Sequence, residues 1–175
     1  MKKILSILSI VLVTSLLTSC GDKQSEPIVA PPGMISLDLN NYGKPFVVFV
    51  PDTANTPFSI EENQSGALEI KVGKTFGICI NEQAGDIAMK KEDLKGDDVN
   101  RFKSFLTDEP TAILWESEIT APEFHFLVNM KIGESDYCFE DIRSTENDPF
   151  TKEAIQKMFD SAKNIKEKKK DQPST

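Results

Sequence analysis

One histidine, one tryptophan, two tyrosines and three cysteines are all that 175 residues contain of these side chains, and their scarcity removes whole classes of chemistry. The lone His125 excludes metal centres built on paired imidazoles, and any Ser-His-Asp or Cys-His arrangement would have to use it. No G-x-S-x-G segment accompanies it. Gly73-Lys74-Thr75 ends like a phosphate-binding loop, but Leu68 stands where the opening glycine of G-x-x-x-x-G-K-[ST] belongs, so the segment reads as a turn between strands. Basic residues are also in deficit, 20 Lys and Arg against 28 Asp and Glu, giving a formal charge of −8. That balance repels polyanions, and no nucleic-acid partner is expected. Past residue 20 no apolar run is long enough for a bilayer-spanning helix.

The one strongly apolar stretch covers 4–17, behind Met1-Lys2-Lys3 and running into Leu17-Thr18-Ser19-Cys20. A basic start, a short apolar core and small residues before a cleavage point make a secretory signal, assigned here to 1–19. Its last four residues resemble the bacterial lipobox. The resemblance implies diacylglyceryl transfer to the Cys20 sulfur, cleavage before Cys20, and attachment to a membrane through acyl chains, each buried CH₂ contributing about 0.8 kcal/mol. The following Gly21-Asp22-Lys23-Gln24-Ser25-Glu26 is partly similar to export signals of surface lipoproteins in Bacteroidetes-type bacteria. With Gly rather than Asp at 21, the outer membrane is the expected address. Loss of Lys2 and Lys3 with the signal leaves the mature chain more acidic still.

Residues 20–33, with Pro27, Pro31 and Pro32, read as a flexible tether, 34–165 as a single globular domain, and 166–175 as a charged tail that frays. Segment 46–50 is apolar at every position and is expected as a central strand covered on both faces. Segments 58–61 and 68–72 form a hairpin, and 75–81, 111–119, 124–132 and 136–142 add strands by their period of two. Between them, Leu94, Val99, Phe102, Phe105 and Leu106 recur at helical intervals, predicting a helix within 91–106. A second helix is predicted over 151–165, capped by Thr151, with Phe150 and Ile155 as a hydrophobic staple. The sum is an α+β fold with one largely antiparallel sheet of about seven strands, a mid-chain helix and a C-terminal docking helix. Its element order is loosely similar to the PsbP and Mog1-like α/β/α sandwich, which implies a fold and carries over no functional residue.

Cys79 and Cys138 remain in a chain bound for an oxidising compartment, and both fall behind the apolar rows of their strands. A disulfide between them and two buried free thiols are the alternatives. His125, between Phe124 and Phe126, faces away from the apolar row and reads as structural. Side-chain oxygens clustered at Asp93, Asp97, Asp98 and Asn100, and at Asp136, Glu140, Asp141, Glu146 and Asp148, lack the ligand spacing of a calcium loop, so no metal and no cofactor are expected.

What remains points to a non-enzymatic binding or accessory module, held on the membrane by Cys20 and serving an envelope protein or ligand. A hydrolase using Glu116 and Glu118 as acid and base is the first alternative. A sugar or small-ligand binder is the second, with Tyr42, Trp115 and Tyr137 as stacking candidates, although Trp115 shares its strand face with Ile113 and Ile119 and is expected in the core.

Overall fold

The computed structural model describes residues 28–142 and 149–168. The signal segment, Cys20, most of the tether, Glu146, Asp148 and the end of the charged tail lie outside them. In chain order the elements are β1 (Met34–Asp38), β2 (Phe46–Pro51), β3 (Phe58–Glu62), β4 (Leu68–Val72), β5 (Phe76–Asn81), α1 (Ile87–Gly96), β6 (Arg101–Asp108), β7 (Ala112–Glu118), β8 (Pro122–Ile132), β9 (Ser135–Asp141), α2 (Lys152–Lys163) and β10 (Lys166–Glu167). Seven strands form one antiparallel sheet in the order β3-β4-β5-β9-β8-β7-β6, so the α+β expectation holds.

Alternation decides which face of that sheet is buried. Ile70, Ile78, Ile80, Leu114, Phe126 and Phe139 project to one side, where α2 and β2 cover them. From α2 come Ile155, Met158, Phe159 and Ala162; from β2 come Phe46, Val48 and Val50. Each fully buried side chain of this size contributes about 1.5–3 kcal/mol over its exposed state. Phe46 meets Tyr137 edge-on at 5.0 Å and Phe139 at 5.9 Å, keying β2 onto the large sheet. Thr151 caps α2 as expected, its Oγ1 accepting the Ala154 N–H at 3.2 Å, and Phe150 and Ile155 both pack into the same core.

Three expectations are corrected. The all-apolar strand at 46–50 is central and buried, but in a separate three-stranded sheet, β1-β2-β10, rather than in the large one. Charged Lys166 and Glu167, expected to fray, pair with Val47 and Phe46 as β10, and Lys168 donates its N–H to the Pro45 carbonyl. Main-chain bonding therefore overrides the charge run at its start.

The predicted helix over 91–106 is half helix and half strand. Asp86, not Asp97 or Asp98, caps α1, accepting the Met89 N–H at 2.9 Å. Asp97 instead accepts from Val99 N–H and Asn100 N–H at 2.9 Å each, turning the chain out of the helix. In β6 the register with β7 slips between Phe102 and Ser104 and again between Phe105 and Thr107. These irregularities let Phe102 and Phe105, three residues apart, meet on one side with ring centroids 4.6 Å apart and planes tilted by 49°, so a bulged strand imitates helical spacing.

Candidate functional site

The second face of the large sheet is only partly covered. Helix α1 sets Ile87 and Leu94 against Ile113, Trp115, Leu127 and Cys138, a small satellite core. Beside it lies an open groove of about 1050 Å³. The register explains its composition. One row across the sheet runs Glu69, Cys79, Glu140, Leu127, Ile113, and the next pairs His125 with Trp115. Polar side chains thus fill the alternate positions that the apolar rows leave over.

At the centre of the groove His125 Nδ1 lies 2.8 Å from Asp141 Oδ2. Asp141 ends β9, one residue past the last β8–β9 pair, Leu127 with Glu140, and its Oδ1 accepts the Phe126 N–H at 2.9 Å. The carboxylate thereby stands in for the missing ladder partner and holds the ring. With Nδ1–H given to Asp141, the neutral imidazole presents a lone pair at Nε2. That atom is buried without a hydrogen-bond partner, 3.5 Å from Glu123 Oε2. Burial of the ring opposes charge, but the Asp141 hydrogen bond and charge, with Glu123 behind them, prevail and raise the pKa above its ordinary value.

Trp115 is 5% exposed. His125 lies against its ring at 5.5 Å between centroids, and Lys90 Nζ sits 5.4 Å from the ring centre. Its Nε1–H has no acceptor. Ser117 Oγ, two residues along the same face of β7, and Asn100 Oδ1, at the groove wall, are also buried and unpartnered. Next to them Glu140 has its pKa raised, first by burial and then by the charge of Asp141, while Asn81 donates to its Oε1 at 3.2 Å.

Cys79 and Cys138 share this face on neighbouring strands, as expected, but the disulfide is not formed; both are buried free thiols. Cys79 is opposite Glu140 and Cys138 opposite Asn81, so the two are diagonal neighbours. Diagonal positions stand about 7–8 Å apart, beyond the span a disulfide bridges. Burial, reinforced by Glu140, pushes Cys79 up to about 11 and Cys138 up to about 12.

The remaining sequence candidates separate. Tyr42 is exposed on a 3-10 turn, and Tyr137 is fully buried on the opposite face of the sheet; neither lines the groove. Trp115 is buried, as its face-mates imply, yet it borders the groove. Glu118 is held below the usual carboxylate range by Lys103, 2.7 Å away, and is no proton donor at neutral pH. Glu116 does not line the groove either. Among the described residues no group of His, Cys, Asp and Glu is placed to hold a metal ion. His125, expected from the sequence to be structural, borders the groove and is held by Asp141. Glu123, two residues earlier on the same strand face, is visible in the sequence as its neighbour, whereas Asp141 arrives only through the β8–β9 pairing. No family model, no curated protein and no solved structure matches this chain.

Proposed function

We propose that this chain is a lipid-anchored envelope protein whose globular domain is a binding module, taking a small polar ligand in the groove over β7, β8 and β9. One observation carries the reading: Trp115 Nε1 is buried at the groove without a partner, and His125 Nε2 beside it makes no hydrogen bond, with Glu123 Oε2 3.5 Å away. Folded proteins pair nearly all their buried polar atoms, because each one left unsatisfied costs about 1–3 kcal/mol. Orphans gathered at one open site are therefore the groups a ligand completes. Cys20 and the lipobox-like residues before it supply the address, and the Pro-containing 20–33 segment supplies reach.

A hydrolytic reading draws on a different observation from the one the sequence suggested. His125 with Asp141 on Nδ1 and a lone pair at Nε2 has the geometry of a general base. Glu116 and Glu118 give it no support.

The test uses the sole tryptophan as a reporter. Small-molecule fractions from the bacterial envelope, added to the purified full chain, should shift Trp115 emission, and His125→Ala should abolish the shift. Emission indifferent to every fraction would sink the binding reading. The anchor is tested separately, since Cys20→Ala should release the protein from the membrane fraction and abolish lipid labelling.

A further inference from the structure

We infer that the groove is built for a neutral, hydroxyl-bearing ligand of saccharide type; this rests on the binding-module reading and names its ligand class. Three buried polar atoms on groove-lining residues make no hydrogen bond. Trp115 Nε1–H can only donate. In the neutral imidazole, with Nδ1–H engaged by Asp141, His125 Nε2 can only accept. Asn100 Oδ1, at the groove wall, can only accept. A hydroxyl group satisfies each of these in turn, because it both donates and accepts. A sugar ring presents several hydroxyls at fixed spacing, so little conformational entropy is lost on binding.

The charges exclude the alternatives. Glu123, Glu140 and Asp141 line the groove, and the cations there are already used: Lys71 is paired with Glu69 at 2.8 Å and Lys90 lies over the Trp115 ring. A carboxylate or phosphate would meet like charge with no free donor cluster to receive it. An ammonium ligand would leave the Trp115 donor unpaired, and the place over the ring is held by Lys90. A volume of about 1050 Å³ reaches the top of the roughly 300–1,000 Å³ range of small-molecule sites, so there is room for more than one ring.

The experiment is a titration of the full chain in a sugar-free zwitterionic detergent with three neutral sugars, glucose, galactose and N-acetylglucosamine, beside anionic glucuronate and cationic ethanolamine. Amide and indole NMR shifts are the readout. At least one neutral sugar should move the Trp115 Nε1–H resonance saturably and bind at least tenfold tighter than glucuronate. Trp115→Phe, which keeps an aromatic ring and removes the donor, should weaken that sugar about fivefold or more. His125→Ala, chosen in case the first variant fails to fold, should do likewise with its melting transition intact. Glucuronate binding as tightly as glucose, or ethanolamine alone shifting the groove, overturns the ligand class and leaves the binding module standing. Groove resonances that no compound in the panel or envelope fraction moves would overturn both.

Discussion

The ring of His125 is held by Asp141, whose Oδ2 lies 2.8 Å from Nδ1 while Oδ1 accepts the Phe126 N–H. One carboxylate thus fixes both the tautomer of a groove residue and the backbone that carries it. Asp141→Asn keeps the amide acceptor and removes the charge. The His125 pKa should then fall, because burial is opposed by Glu123 without the charge of Asp141. As this is the only histidine, its ring proton resonance can be followed directly across a pH titration. Loss of a charged hydrogen bond should also cost about 1.5–3 kcal/mol of stability by chemical denaturation. An unchanged midpoint in the titration would show that Asp141 does not set the charge of the ring.

Stability and binding should respond to pH with opposite signs. His125 has its folded pKa raised, so its contribution to stability is complete below about pH 6.5 and is lost as pH rises through the folded value. Glu140, also raised, acts in the same direction in its own lower range, since charging it in a buried site is unfavourable. Glu69, Glu82 and Glu118 are lowered, and their contributions fail only as pH falls through their folded values. Denaturation midpoints should therefore be higher at about pH 6 than at about pH 8.5, with His125→Gln flattening the difference. Ligand affinity should fall over the same descent. Protonated Nε2 becomes a donor facing Glu123, 3.5 Å away, and the acceptor offered to a hydroxyl is gone.

Native alkylation should spare both remaining cysteines. Cys79 and Cys138 are buried, with pKa values pushed up to about 11 and about 12, so almost no thiolate exists at neutral pH. Iodoacetamide should modify neither in the folded protein and both in denaturant. A mass lower by the two hydrogens of a disulfide would contradict the diagonal placement of the two residues.

The strands were legible where alternation was clean. Leu68, Ile70 and Val72 on β4 announce their face because only one side of that strand is buried, and on β8 the row from Phe124 to Ile132 stays regular even though Leu127 is buried on the other side. Helix α2 was legible for the same reason, its cap and stripe agreeing. Reading failed where local signals were mimicked or overridden. The bulges of β6 gave Phe102 and Phe105 a helical spacing, and the all-buried β2 could not say which sheet it joined. The site was less legible than the fold. Nothing near residue 125 names Asp141, and nothing near residue 115 names Lys90, because both arrive through long-range pairing and packing.

The groove wall formed by α1 depends on two hydrogen bonds outside the helix. Asn129 Oδ1 accepts the Gly85 N–H at 2.9 Å and its Nδ2 donates to the Gly85 carbonyl at 2.6 Å, fixing the chain just ahead of the Asp86 cap. Helix α1 buries only Ile87 and Leu94, with the Lys91–Asp108 ion pair as a further tie to β6. So little apolar contact cannot hold a ten-residue helix by itself. Asn129→Ala should cost about 2 kcal/mol, roughly 1 kcal/mol for each lost bond. The loss should also be local, with amide exchange across α1 rising sharply while α2 stays protected. Gly85→Ala approaches the same joint from the other side, since a Cβ there would stand 2.9 Å from Cys138 Sγ. Both variants should weaken ligand binding, because Lys90 and Leu94 line the groove from α1. Exchange rising equally in α1 and α2 would mean that the helix unfolds with the core rather than ahead of it.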